Sequence, residues 1–175
     1  MCGTATALRT IVPECRAIAV DTQSSVLFGH PAGARELRGL GMSLMPANLD
    51  HRVFDDVHWC DAASAYLATR QLHQQHALFM GPTSGAAYLV ARWWAKVNPG
   101  ALTVVMLPDE GYRYQDTVYD DSWLQATGQL EPTVPDQPVL VDDPRFPQGL
   151  WACYDWQRRS YAEVLGGDRS LSGVG

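Results

Sequence analysis

The sequence predicts an α/β fold, in which a three-layer parallel sheet is flanked by helices and followed by an extra C-terminal arm. Short apolar segments alternate with segments of helical periodicity over residues 16–107, which is typical of parallel sheets covered by helices. The composition then changes, because residues 131–148 contain five of the eleven prolines. We therefore expect an α/β unit at residues 1–128 and a Pro-rich arm with a closing helix at 129–175. The 175 residues, 46% of them apolar, suffice for one buried core.

The first part of the chain predicts two short elements and a long loop. Residues 2–9 are expected to form a tight turn and a short helix, which ends before Pro13. Residues 16–21 are an apolar run that closes on an acid, Asp21, which is typical of a buried parallel strand. Residues 24–45 contain several glycines and little periodicity, so we expect a loop with at most one short element there.

The second part predicts a regular alternation of strands and helices. Asp61 is a good helix N-cap, and Pro99 with Gly100 ends a later helix. The expected elements are a strand at 57–60, a helix at 62–75, a strand at 78–80, a turn at 81–85, a helix at 86–97, the clearest strand at 102–107, a turn at 108–111 and a closing helix at 150–165. The turns 81–85 and 108–111 follow strand ends, and ligands of open α/β sheets bind at that edge.

Charge and composition exclude several classes of function. A net charge of −6 argues against a protein that binds a nucleic acid backbone or an anionic membrane surface. No apolar stretch approaches a membrane span, and the N-terminus has no signal-peptide pattern, so a cytoplasmic protein is expected. The four cysteines are far apart in sequence and are expected to be free thiols.

Three motifs together resemble a known family. They are the glycines of Gly-Leu-Gly at 39–41 with the Met-Pro that follows, the strand-turn-helix ALFMGPTSGA at 77–86, and the strand VVMLPDEGYRY at 104–114. With residues 16–29, they occur in the order and spacing found in cysteine synthases and cystathionine β-synthases. These are fold-type II enzymes that depend on pyridoxal 5′-phosphate (PLP). The resemblance extends over about residues 1–123 and corresponds to the C-terminal half of a family member.

The resemblance implies that PLP is bound and shared with a partner chain. It places eight residues against the cofactor, namely Cys2, Gly3, Thr4, Gly39, Gly41, Thr83, Pro108 and Asp109. Thr83 corresponds to the hydroxyl that hydrogen-bonds the pyridine nitrogen. Residues 1–4 correspond to the end of the phosphate-binding turn, where backbone N–H groups at a helix start bind a dianion. Cys2 replaces a glycine of that turn, which weakens the expected phosphate site.

The Schiff-base lysine of the family has no counterpart among these residues. Lys96 is the one lysine, and it lies near the end of a predicted helix, where a solvated side chain is expected. We therefore expect no catalytic residue on this chain and a lysine on a second subunit. The implied reaction is β-replacement or β-elimination on an O-activated serine, cysteine or related amino acid. Two alternatives remain open, a catalytically inactive binding or regulatory module and a truncated gene product without function.

Other residues allow a functional and a structural interpretation, and the structural one is expected for most. His73 and His76 have the spacing of half a metal site, but a solvated helix face is favoured, and no metal is expected. The pairs 55–56 and 120–121 are acidic and are expected in solvated turns. The adjacent tryptophans 93 and 94 are expected to be mainly core. The aromatic residues of the arm, Trp151, Tyr154, Trp156 and Tyr161, favour either an intramolecular clasp or a docking arm.

Overall fold

The computed structural model describes residues 1–37, 39–130 and 133–167, and it contains both helices and strands, as an α/β fold requires. The helices are α1 (Cys2–Arg9), α2 (Ala62–His76), α3 (Pro82–Val97), α4 (Asp121–Ala126) and α5 (Tyr161–Leu165). The strands are β1 (Ile18–Asp21), β2 (Asp56–Cys60), β3 (Val139–Leu140) and β4 (Trp151–Asp155). Within the described ranges, no helix is long and apolar enough to cross a membrane.

The four strands form one sheet in the order β1-β2-β4-β3. β1 and β2 are parallel, as expected, and β3 is parallel to β4. β4, however, is antiparallel to β2. The α/β class is thus confirmed, while the sheet is mixed rather than all parallel, because a strand of the C-terminal arm returns to pair with β2.

Helices cover the sheet on both faces and give three layers. Residues alternate along β1, so that Ile18 and Val20 pack towards α2 and α3 while Ala19 packs on the side of α1. Each face has its own cluster of buried apolar residues. This alternation explains why a short run of apolar residues is needed in β1, which is covered from both sides.

The helices α2 and α3 form a closely packed pair. Asp61 caps α2, since its Oδ1 accepts a hydrogen bond from the Ser64 N–H at 2.8 Å, as predicted. α3 begins at Pro82 rather than at residue 86, because proline suits the first helical position, where no N–H is required. Gly85 lies against α2, and a Cβ atom there would overlap the Thr69 side chain. The glycine thereby sets the close approach of the two helices.

Two predicted strands in this part of the chain are absent. Residues 78–80 make only an isolated bridge, between Met80 and Glu110. Residues 102–107, the clearest strand predicted from the sequence, make no backbone hydrogen bond with any described residue and are coil. The apolar run was recognised correctly, but a strand also requires a neighbour, and the described chain offers none.

The predicted closing helix at 150–165 is also wrong. It divides into the strand β4 and the short helix α5, which begins with a capping box of Ser160 and Glu163. Trp151 and Ala152 are both buried but lie in the clusters on opposite faces of the sheet. That two-residue alternation identifies a strand, and it outweighed the near-helical spacing of the aromatic residues.

The acidic pair 55–56 is not in a solvated turn. Asp55 is buried and forms ion pairs with Arg9 and Arg158, both at 2.7 Å. It also accepts a hydrogen bond from the Ala17 N–H at 2.7 Å. Asp56 pairs with Arg16. Asp55 therefore links the end of α1, the entry to β1 and the arm, which explains why an acid occupies this position.

Candidate functional site

Thr83 and Gly39 meet at the start of α3, where the resemblance expects the cofactor ring. Thr83 lies in the first turn of α3 and is half-buried. A Cβ atom at position 39 would lie 2.8 Å from Thr83 Oγ1 and 3.8 Å from the hydroxyl oxygen of Tyr114. The glycine therefore keeps the space beside the Thr83 hydroxyl open. That hydroxyl has no hydrogen-bond partner in the described ranges, so it is free to bind a ligand.

Asp109 fixes the turn that carries Thr83. Its Oδ1 accepts hydrogen bonds from the Ser84 hydroxyl at 2.6 Å and from the Ser84 N–H at 3.0 Å. Its carbonyl accepts from the Gly81 N–H at 3.1 Å. A carboxylate at a helix N-terminus is favoured by the helix dipole as well as by these bonds. Asp109 thus acts as a positioning residue for α3, while Pro108 beside it is exposed.

Two further residues of this cluster, Ser84 and Tyr114, were not among the predicted site residues. Burial raises the pKa of Tyr114, and the negative charge of Asp109 raises it further, so the phenol stays protonated. A Cβ atom at Gly81 would overlap both the Asp109 carboxylate and the Tyr114 ring. Tyr114 is the last residue of the quoted motif at 104–114, so its place in the motif was the available signal.

Gly41 lies beside the end of β1 rather than against Thr83. Its φ of +79° is favourable only for glycine, and a Cβ atom there would lie 2.8 Å from the Ser25 Cβ. Ser25 follows Asp21, whose carboxyl is completely buried. Gly41 therefore allows the loop around residues 39–41 to pack closely against Ser25, just after β1. Its contact with a cofactor stays a prediction.

Residues 1–4, the predicted phosphate turn, make no hydrogen bond to the Thr83 cluster within the described ranges. Cys2 Sγ lies 3.8 Å from the Asp50 carbonyl oxygen, and Gly3 and Thr4 are exposed in the first turn of α1. No side-chain cap closes the start of α1, so its first N–H groups stay accessible. These residues can bind an anion only from the solvent side, and their role stays a prediction.

Lys96 cannot serve the Thr83 cluster. It is exposed in the last turn of α3, thirteen residues after Thr83. At 1.5 Å per residue, that is about 20 Å along the helix axis. The solvated position predicted for this lysine is confirmed by its exposure, and the site has no lysine from this chain.

The described residues hold no cluster that could bind a metal ion. His76 bonds the Tyr88 hydroxyl at 3.0 Å, and the His73 ring contacts Phe79 and Tyr119. Asp121 pairs with Arg70, and Asp120 caps α4. His73 and His76 are exposed on α2, as the solvated-face interpretation expected, whereas Asp120 and Asp121 begin α4 rather than lying in a solvated turn.

Comparisons with known proteins agree with the motifs. No protein-family model matches the chain. It is 42% identical over 123 residues to N-(2-amino-2-carboxyethyl)-L-glutamate synthase of Ralstonia nicotianae, a match that covers 70% of this chain and 36% of that enzyme. O-acetyl serine sulfhydrylase isoform 3 of Entamoeba histolytica has a TM-score of 0.63 and 28% identity, covering 67% of this chain and 36% of that one. The O-acetylserine dependent cystathionine β-synthase of Helicobacter pylori has a TM-score of 0.58 and 31% identity, covering 66% and 38%.

The chain is therefore similar to part of the cysteine synthase-like, fold-type II enzymes, as the motifs indicated. It spans 36–37% of the length of the curated relatives that it matches, so it corresponds to part of such an enzyme.

The residues present fit one side of a PLP site. The fit rests on the half-buried Thr83 hydroxyl, the space that Gly39 leaves beside it, and the Asp109 contacts that hold the turn. A neutral hydroxyl suits a pyridine nitrogen that is not fully protonated, whereas a carboxylate would draw a proton onto it.

Proposed function

We propose that this chain is one subunit of a split PLP-dependent enzyme that catalyses β-replacement or β-elimination. A second polypeptide would supply the lysine, the substrate carboxylate site and the beginning of the phosphate turn. The observation that carries the proposal is the open, unpartnered Thr83 hydroxyl on a chain whose one lysine lies about 20 Å away. A ring-binding side without an anchoring lysine is the arrangement expected of one subunit of such a split enzyme.

The roles of this chain's residues follow from their contacts. Thr83 would orient the cofactor ring through its hydroxyl, and Gly39 would leave room for that ring. Asp109 would keep Thr83 in place by holding Ser84 and Gly81 at the start of α3. When bound, PLP supplies the electron sink that allows a leaving group to depart from the β-carbon of an amino acid. The weak sink that a threonine allows is sufficient for such reactions.

The substrate class is proposed from the relatives. The name of the Ralstonia enzyme describes a product that carries a 2-amino-2-carboxyethyl group, which is a serine-derived fragment. The Helicobacter enzyme is O-acetylserine dependent. We therefore propose an O-activated serine, cysteine or related amino acid as substrate. The incoming nucleophile would be met mostly by residues of the second subunit.

The alternative is a catalytically inactive binding or regulatory module. Cys2 in place of a glycine, with its contact to Asp50, favours it, because a side chain limits how closely a phosphate can approach. The absorption spectrum distinguishes the two, since only the split enzyme places PLP on a lysine.

The test is co-expression with the lysine-bearing N-terminal portion of the Ralstonia relative, followed by visible spectroscopy. The complex should be yellow and the chain alone colourless. Thr83→Val should weaken PLP binding about tenfold, as expected for one lost hydrogen bond, while Thr83→Ser should retain it. Lys96→Ala is the control and should leave the colour unchanged. A yellow chain alone that loses its colour in Lys96→Ala would contradict the proposal, and no colour in any sample would favour the inactive module.

A further inference from the structure

The segment 102–107 presents an apolar face that nothing in the described chain covers. Leu102, Val104 and Met106 are 94%, 87% and 58% exposed. Exposure is higher at these three residues than at the residues between them, which is the alternation of an extended backbone, so the three side chains lie on one face and form an apolar stripe. Isolated exposed apolar residues are common, but an aligned stripe of three on one extended segment marks an interaction site.

The opposite face of the segment is turned towards the rest of the chain. Thr103 and Leu107 are half-buried, and Val105 is only 36% exposed. The segment is therefore held against the body of the protein in an extended form. It is a coil segment that lies on the protein surface, without a paired strand among the described residues, rather than a free tail.

The backbone of this segment is available for pairing. None of the N–H and C=O groups of residues 102–108 makes a backbone hydrogen bond to a described residue. A row of unpaired peptide groups beside an apolar stripe is matched by another β-strand, which satisfies the peptide groups and covers the side chains together. A small ligand could not satisfy both requirements.

The position of residues 102–107 indicates which polypeptide would bind there. It continues directly into Asp109, which bonds Ser84 beside Thr83. A polypeptide that pairs here therefore arrives next to the candidate cofactor site. The Ralstonia relative offers a candidate for this polypeptide, because the match leaves almost two thirds of that enzyme without a counterpart. A second copy of this chain would bring no suitable lysine, since Lys96 lies far from the start of α3.

We propose that the lysine-bearing subunit docks on residues 102–107 by adding a β-strand to this segment and covering the stripe of Leu102, Val104 and Met106. This inference rests on the proposed function, because it names where the partner of the split enzyme binds. Docking would also fix Pro108 and Asp109, and through Ser84 it would fix the turn that holds Thr83. Assembly of the subunits and ordering of the turn that holds Thr83 would then occur together.

The test compares Val104→Asp with a matched control, Ile11→Asp. Both residues are strongly exposed, at 87% and 79%, so neither substitution should disturb the isolated fold, which circular dichroism checks. Each variant is co-expressed with the N-terminal portion of the Ralstonia relative, and complex formation is measured by size-exclusion chromatography and titration. We expect at least tenfold weaker binding for Val104→Asp and wild-type binding for Ile11→Asp. Should Val104→Asp misfold, Leu102→Asp replaces it.

Hydrogen exchange gives an independent measurement on the wild-type chain. The amides of 102–107 should exchange rapidly in the free chain and become protected in the complex. If a yellow complex forms but Val104→Asp binds normally or these amides stay unprotected, the docking site is wrong while the proposed function stands. If no complex forms and no colour appears, both fail. If the chain alone dimerises and protects 102–107, the occupant is a second copy, and the proposal is overturned.

Discussion

Two short segments, β4 and residues 102–107, have comparable apolar content but adopt different structures in this molecule. β4 pairs with β2 on one edge and with β3 on the other, and its first two residues are buried on opposite faces of the sheet. Residues 102–107 are extended too, yet they pair with nothing described and expose a stripe of apolar side chains. The difference shows that an apolar run becomes a strand only when a neighbouring strand meets it.

A specific polar contact accompanies the successful pairing. The Trp151 Nε1–H donates a hydrogen bond to His58 Nδ1 at 3.1 Å across the β2–β4 pair. The Trp93 ring packs against both of these side chains. The arm is thus joined to the sheet by burial and by one satisfied buried donor. The segment 102–107 has a comparable apolar content but no such cross-strand partner.

Trp151→Ala should lower the free energy of unfolding more than any other substitution considered, because it removes a fully buried side chain of β4. The side chain is 1% exposed, and truncation of a buried tryptophan costs about 3–5 kcal/mol. The loss also leaves His58 Nδ1 without its donor, which adds to the cost. Urea denaturation followed by circular dichroism measures the change in the free energy of unfolding. A loss below about 1 kcal/mol would show that the arm is not an integral part of the sheet.

The pH dependence of stability gives a second test within the paired region. Burial of the Asp21 carboxyl raises its pKa to about 7. Burial lowers the pKa of His58 to about 3. Between pH 4 and 6.5, the folded state holds one proton more than the unfolded state at Asp21 and one fewer at His58. Rising pH therefore lowers the free energy of unfolding through Asp21 and raises it through His58.

Asp21→Asn removes one of these opposing contributions. We expect the free energy of unfolding of the variant to rise more steeply with pH than that of the wild type. The difference between the two should grow by on the order of 3 kcal/mol between pH 4 and 7.5, at 1.36 kcal/mol for each pKa unit. Urea denaturation at four pH values measures it. Parallel curves for both proteins would mean that the Asp21 carboxyl is solvated or paired.

Much of the fold near the site was predictable, because the determining contacts are local. Asp61 caps the helix that follows it, and the run that closes on Asp21 is a strand covered on both faces. Thr83 was predicted from its motif. Its open neighbourhood depends on Gly39, which is distant in sequence but belongs to a motif with fixed spacing.

The larger errors have one physical origin, which is pairing between distant segments. The helical spacing of Trp151, Tyr154 and Tyr161 predicted a helix, but pairing with β2 selected a strand. Asp55 looked like a turn residue because its partners, Arg9 and Arg158, are far away in sequence. A single sequence contains no signal for such partners, whereas caps and glycine contacts within motifs leave one.

The smallest effect on the free chain is expected for a substitution within residues 102–107, and it tests whether this segment is uncovered. Leu102 is 94% exposed, so Leu102→Ser should change the free energy of unfolding of the isolated chain by less than about 0.5 kcal/mol. In the complex with the N-terminal portion of the Ralstonia relative, the same substitution should weaken the assembly, because the leucine would then be buried. Full burial of a leucine contributes about 1.5–3 kcal/mol, so the dissociation constant should rise by tenfold or more.

Thermal denaturation of the free chain and titration of the complex measure the two quantities. A loss above 1 kcal/mol in the free chain would mean that its own residues already cover this face, whereas equal binding by both proteins would mean that the partner never reaches it.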